Sequence, residues 1–477
     1  MSQVKSQPQP QAHPSSEVEL PSWPTSHPNV APAETARIAV PIEEIDYNTS
    51  TRVSDTDVED RVIQQLLPAD GGSAAWRVLI SAFVFEALLW GFPISFGVFQ
   101  AYYSTLPQFT TSSSQLALIG TIAQGLSYLG SPFSAFLTKR FPKYQLPQLW
   151  LGWVTCIASL IIASFQSTVQ GLIWTQGVMY GLGFVLLMYP IIGMINEWWV
   201  LRKGMAFGVI SAASGVSGAA LPLGIEWLLA RYGYRTALRV IAVGIAICTA
   251  PLLPLLKGRL PAAERSQTAR TDWTFLRVPL FWIYSVSTLI YGLGFFYPGV
   301  YLPSFATSVG LSSTEGAAVL AVMSVAQVAG QFACGWASDH SKRFSVSVAC
   351  VICLLMATLS SFLLWGMAKS LGLLMVFGVV YGFFGCGYST MRVAMGRQVS
   401  RDASSTVATY SILVFVQGIG NVLVGPISDG LLGGGVRRDG YGIGRYRDLV
   451  VWTGGCMAVS AGVIGLWWVR PSRFKGL

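Results

Sequence analysis

The chain has 477 residues, of which 52% are hydrophobic and 11% charged, and its formal charge is +9. Globular domains carry roughly 25% charged residues, so a chain this long and this poor in charge reads as an all-α polytopic membrane protein. Its basic residues fall in short clusters between apolar runs, which fits orientation in a lipid bilayer and excludes nucleic acid as a partner.

Residue types narrow the chemistry further. All seven cysteines lie in apolar stretches, and the only histidines are His13, His27 and His340. A disulfide framework, a zinc site and a His-based triad are excluded, so neither an enzyme nor a metal or other cofactor is expected. Cys350 and Cys353 form a lone CxxC, read as two small residues on one helix face.

In chain order, residues 1–69 hold nine of the 24 prolines and ten acidic residues against four basic ones, and read as a disordered acidic cytosolic tail. The body then divides into twelve segments of membrane length. Six are predicted over 78–102, 115–137, 149–167, 171–195, 205–229 and 236–256, and six over 279–302, 315–337, 345–367, 370–391, 404–426 and 449–469. The basic stretch 257–277 separates an N-terminal bundle, 70–256, from a C-terminal bundle with a short cytosolic tail, 278–477. With both termini cytosolic, the tails and inner loops hold 23 Lys and Arg and the outer loops eight. The cell membrane is the expected location, a vacuolar or other internal membrane the alternative.

The halves repeat. Ala123-Gln124 and Lys139-Arg140-Phe141 recur 203 residues later as Ala326-Gln327 and Lys342-Arg343-Phe344, and Gly177 with Tyr180-Gly181 recurs 201 later as Gly378 with Tyr381-Gly382. Such spacing predicts two parallel six-helix bundles around a central cavity.

Three strings carry a resemblance. Pro68-Ala69-Asp70-Gly71-Gly72 with Trp76 precedes the first helix, WWVLRKGMAFGVISAASGVSG runs from Trp198 to Gly218, and Gly335 stands ahead of Asp339, Lys342 and Arg343. With the repeat, they make the chain similar to the major facilitator superfamily, and within it to the monocarboxylate porter family, particularly its fungal branch. The resemblance implies a conformational gate at Asp339, Lys342 and Arg343, with Arg202 and Lys203 at the start of helix five. The equivalent loop of the first half, Thr138 to Lys143, lacks an acid, so that gate is degraded or differently built.

Departures from the family pattern bear on cargo. Ile94 follows Phe92-Pro93 where lactate-carrying members have a lysine, and Gln327 and Gln331 stand where those members have an Asp and an Arg. Neutral amides cannot neutralise a carboxylate or take up a proton, so simple lactate–proton symport is not expected.

An ionisable residue deep in a membrane helix is costly and marks function by default. Glu86 is the one clear case, on a predicted face with Trp90, Pro93, Gly97 and Gln100. It is the candidate proton-coupling group; the alternative is a neutral carboxyl hydrogen-bonded to a neighbouring helix. Candidate substrate-binding residues are Gln124, Tyr291, Tyr297, Gln327, Gln331, Gln417 and Asn421, each of which could equally be a helix–helix hydrogen bond. Arg392 and Arg397 follow the predicted end of helix ten, where they would snorkel to lipid headgroups or, for Arg392, collect an anion at the cavity mouth.

The reading is a secondary transporter working by alternating access, with a small-molecule substrate and protons as partners. A small organic acid or secondary metabolite is the expected cargo, with efflux favoured by the missing charged pair. An uptake porter for monocarboxylates or nutrients is the alternative. A non-transporting sensor signalling through the N-terminal tail is the rival from another class. No Gly-Lys-Ser/Thr string occurs, so an ATP-driven mechanism is not expected.

Overall fold

The computed structural model describes residues 68–260, 273–340, 345–400, 402–432, 441–443 and 445–469. The tail up to residue 67, most of the loop between bundles, Lys342, Arg343 and the C-terminal end lie outside the described residues.

Among the described residues the regular structure is helical throughout, in twelve successive segments that include ten helices long and apolar enough to cross a membrane, one of them continuous over α5 and α6. They are α1 (Gly72–Ser104), α2 (Ser113–Leu129 and Ser131–Arg140), α3 (Gln145–Ala163), α4 (Val169–Trp198), and α5 and α6 within Lys203–Thr249. The second set is α7 (Pro279–Ser308), α8 (Ser313–Asp339), α9 (Val346–Trp365), α10 (Leu371–Val399), α11 (Ala403–Val422 and Val424–Leu432) and α12 (Arg447–Val469). Gly233, at φ 74° and ψ 169°, separates α5 from α6 by adopting a backbone conformation that side-chain-bearing residues resist. Two bounds differ materially from the sequence expectation. α3 begins at Gln145 because Gln145 and Gln148 are buried against α2 and α4 rather than left in a loop: Gln145 donates to the Pro190 carbonyl and Gln148 to Ser134 Oγ. α10 continues to Val399, which carries Arg392 and Arg397 into the helix.

One hydrophobic core joins residues of 75–256, with Val393 from the other half, and a second joins residues of 275–464. The sequence repeat has a packing cause. A Cβ on Gly177 or Gly181 would meet the α2 carbonyls of Ile119 and Ala123, and one on Gly378 or Gly382 would meet the α8 carbonyls of Val319 and Met323. The repeated glycines thus seat α4 on α2 and α10 on α8. Their neighbouring tyrosines are matched as well: Tyr180 donates to Leu89 O of α1 at 2.6 Å, and Tyr381 to Phe295 O of α7 at 3.1 Å.

The halves meet along two seams. On the first, Gly204, Gly208 and Gly215 of α5 lie against Gly335, Gln331 and Ser324 of α8, close enough that a Cβ at any of them would strike backbone. On the second, Ser131 Oγ donates to Ser411 O at 2.6 Å, and Gly125 abuts Val422. Both seams start at the predicted cytosolic ends and stop near mid-length: Gly224 of α5 and Gly425 and Gly430 of α11 have nothing within 4 Å of a Cβ position.

Close packing gives a direct stability test. A Cβ on Gly330 would sit 2.6 Å from Phe383 Cα of α10, so Gly330→Ala should cost about 1–3 kcal/mol by overpacking and lower the melting temperature of the purified protein. Gly224→Ala should leave it unchanged or slightly raised.

Candidate functional site

Glu86 opens a π-helical turn, Glu86–Trp90, inside α1. Such turns free backbone carbonyls from their helical donors and recur at functional sites. Four residues beyond Leu89, Pro93 has no N–H to offer that carbonyl, and the Tyr180 hydroxyl takes the place of the missing donor. Ser217 of α5 donates to Ala87 O at 2.5 Å, and Gln124 of α2 donates Nε2–H to Pro93 O at 2.9 Å. Three neighbouring helices therefore hold α1 in its interrupted form. The predicted face is not continuous: the π turn and a break at Ser95 (ψ 2°) leave Trp90 and Pro93 buried while Gly97 is exposed.

The Glu86 side chain is partly exposed, and among the described residues it has no hydrogen-bond or ion-pair partner. The cation whose charge acts on it is Arg392, from the other half. Arg392 lies within α10, 9% exposed, and not at the lipid surface as the sequence suggested. Its Nε donates to Ser389 O and its Nη1 to Gln417 Oε1, both at 2.6 Å, and its guanidinium carbon stands 5.8 Å from the Tyr410 ring centre. These contacts leave no slack for snorkelling.

Three tyrosines from three helices share this space. Tyr128 of α2, Tyr189 of α4 and Tyr410 of α11 each lie within electrostatic reach of both Glu86 and Arg392. Trp90 meets Tyr128 edge-on at 5.2 Å and Phe184 at 5.1 Å, and Phe207 meets Tyr410 edge-on at 5.3 Å. The result is one acid and one base, contributed by opposite halves, among aromatic rings and phenol hydroxyls. A carboxyl here can take or release a proton, the guanidinium can bond an anionic or carbonyl oxygen, and the rings can pack an apolar body.

Of the residues expected at the site, Gln417 joins Arg392 directly. Tyr291 is buried, stacks on Phe295 at 4.8 Å and donates to Gly385 O at 2.8 Å, a tie between α7 and α10. Tyr297 reaches Val424 O at 3.5 Å, away from the charges. Gln327 donates to Ser214 Oγ at 2.8 Å across the α5–α8 seam, and Gln331 is buried in that seam with Oε1 unpartnered. Both amide atoms of Asn421 are buried without partners. Tyr128, Tyr189 and Tyr410 were not anticipated; nothing in spacing separates them from other mid-helix tyrosines.

At the predicted cytosolic end, Asp339 receives the N–H groups of Gly204 and Met205 on its two oxygens, both at 2.7 Å, capping α5 from the other half. Its cationic partner is Arg397, at 2.9 Å, which the sequence had placed among lipid headgroups. Lys203 is buried beside this cluster, whereas the Arg202 side chain is exposed and contributes its backbone N–H to Asp70. On the second seam the acid sits on the opposite helix: Asp402 caps α11 through Ser405 N at 2.8 Å, and its charge acts on Lys139 of α2.

A family profile described as Major Facilitator Superfamily matches residues 78–424. MFS-type transporter pynF of Aspergillus niger is 27% identical over 369 residues, covering 77% of this chain and 83% of the relative. Monocarboxylate transporter 13 of Rattus norvegicus is 26% identical over 416 residues, covering 84% and 91%. Among solved structures, the human organic anion transporter MFSD10 (TETRAN) is similar with a TM-score of 0.61 at 12% identity, over 82% of this chain and 99% of that one. The proton:xylose symporter XylE is similar with a TM-score of 0.61 at 14% identity, over 84% and 96%. These structures share the fold. With the profile running from α1 into α11, the chain belongs to the Major Facilitator Superfamily and is a multi-pass membrane transporter, not an enzyme.

Proposed function

We propose that the chain couples proton movement to the transport of a small organic acid or acidic secondary metabolite, by alternating access through the space that Glu86 and Arg392 share, and that it works in the direction of efflux. The observation that carries this reading is that Glu86 stands unpartnered opposite a buried Arg392 on the other half. Two anions facing one cation in a desolvated site are unfavourable. An organic anion bound at Arg392 therefore favours a protonated, neutral Glu86, and a site without cargo favours the ionised form. Proton and cargo occupancy are linked by charge alone.

Efflux of a larger metabolite, in preference to lactate, is supported by Gln327 and Gln331. Gln327 is bonded to Ser214 across the α5–α8 seam and Gln331 is buried in it, and the aromatic lining around Trp90, Phe184 and Tyr410 offers packing for an apolar body. The α5–α8 and α2–α11 seams are closed at the predicted cytosolic end, so the half-passage beyond them faces the outside in this state.

Three outcomes are expected in proteoliposomes. With Glu86→Gln, counterflow of the organic acid persists while its dependence on an imposed pH gradient disappears; a pH response equal to the parent would exclude Glu86 as the coupling group. Arg392→Lys keeps the charge but loses the geometry that bonds Gln417 and Ser389, and should slow transport of an anionic cargo by about 10- to 100-fold. An anionic cargo carried equally well by both proteins would refute the acid assignment. A Cβ on Gly335 would sit 2.8 Å from Gly208 Cα, so Gly335→Ala should part the seam. In a Cys248→Ser background, whose other described cysteines are buried, spin labels at Arg140→Cys and His340→Cys should then show a longer distance population.

A further inference from the structure

The turn between α4 and α5 is gripped from two sides. Asp339 holds Gly204 and Met205 from the far half, and Asp70, just ahead of α1, holds the residues before them. Asp70 Oδ1 accepts the N–H groups of Val200, Leu201 and Arg202, each at 2.8 Å, and Oδ2 accepts Leu201 N–H at 3.0 Å. Its own N–H donates to Trp198 O at 2.8 Å. Consecutive N–H groups converging on one carboxylate form an anion nest, here filled by the protein itself. Asp70 keeps φ at 61°, a value that residues with a Cβ seldom adopt, so these bonds over-determine its backbone.

Other anchors of the turn stop short of this stretch. Trp198 Nε1 donates to Lys257 O at 2.8 Å, Leu260 N–H donates to Glu197 at 3.1 Å, and Trp199 packs edge-on against Trp76 at 5.2 Å. Among the described residues no other acceptor takes the N–H groups of Val200, Leu201 and Arg202. The orientation of the N–H groups of Gly204 and Met205, which follow after Lys203, thus descends from Asp70 through Arg202, the residue at which α5 is capped.

We infer that Asp70 is a positioning residue of the gate: it aims the first free N–H groups of α5 at Asp339 and thereby stabilises the state closed at that end. This rests on the reading of Asp339 as a gate. Two effects of opposite sign compete. Aiming the donors strengthens the bond to Asp339, while a second negative charge at the same helix terminus weakens it. Asp70 bonds four times at hydrogen-bond length to the turn itself, whereas Asp339 already has Arg397 to offset its charge, so positioning prevails.

The test uses the full chain with spin labels at Arg140→Cys and His340→Cys in the Cys248→Ser background, and in a second sample a label at Leu201→Cys, a residue whose side chain is 76% exposed. Asp339→Asn should raise the long-distance population between the halves at least threefold, with the Leu201 label unchanged. Asp70→Asn should raise that population to within twofold of Asp339→Asn and also mobilise the Leu201 label, and the double variant should add nothing to Asp339→Asn alone. If Asp339→Asn leaves the distance unchanged, the gate reading fails. If it lengthens the distance but Asp70→Asn leaves it unchanged or shortens it, the gate stands and the role given to Asp70 is overturned. Should Asp70→Asn not give monodisperse protein, Asp70→Glu, which shifts the carboxylate by one methylene, is read the same way.

Discussion

In hydrocarbon a backbone N–H or C=O has no water to bond, so every interruption of a membrane helix must find its partner inside the protein. That constraint organises this molecule. α1 is broken twice within ten residues, by the π turn at Glu86–Trp90 and by the bend at Ser95, and side chains from α2, α4 and α5 supply the groups the helix itself lacks. The π turn begins at Glu86, whose side chain is partly exposed while Phe85, Leu89 and Trp90 beside it are buried.

The same constraint bears on why the partly exposed Glu86 and the buried Arg392 sit on different halves. Either alone would be a penalty in the bilayer interior; together they attract across the central space without closing into an ion pair that would extinguish both. Arg392 satisfies part of its donor set with Ser389 O and Gln417 and still acts on Glu86 and on Tyr128, Tyr189, Tyr291 and Tyr410. A site in which the cation is anchored and the acid is not suits cargo that binds the first and protons that bind the second.

Much of the fold was legible because membrane helices announce themselves by length and apolarity, and because the repeated Gly177, Gly181, Gly378 and Gly382 mark positions where backbone meets backbone. Glu86 was legible for a related reason: a lone carboxyl in an apolar run has few structural uses. The end of α10 was set too early because a basic residue near the end of an apolar stretch looks like a loop residue, and only the partners waiting on α11, Gln417 and Tyr410, show that the helix runs on past Arg392. Tyr128, Tyr189 and Tyr410 could not be singled out, since their convergence on Glu86 and Arg392 depends on how five helices cross, which no local pattern encodes. The polar residues Gln124, Gln327 and Tyr291 illustrate the ambiguity noted for amides and phenols in membranes: each is engaged in tying one helix to another.

The missing acid of the first-half loop resolves in the same physical language. α5 begins with free N–H groups and receives a carboxylate from α8 of the opposite half, Asp339. The pseudo-equivalent α11 also begins with free N–H groups, but it carries its own carboxylate, Asp402, and α2 of the opposite half supplies the cation, Lys139. Both seams thus end in a helix N-terminus, a carboxylate of the C-terminal half and a base; what differs is that Asp339 caps a helix of the opposite half while Asp402 caps its own. Separating the halves at the first seam strips a cap from α5 and leaves its N–H groups unsatisfied. At the second seam the cap on α11 travels with its helix, and what is lost is the attraction between Asp402 and Lys139 together with the Ser131–Ser411 hydrogen bond. Opening the first seam therefore strips a helix cap, which opening the second does not, and the clasp of Asp70 lies on the turn that leads into the N–H groups so exposed.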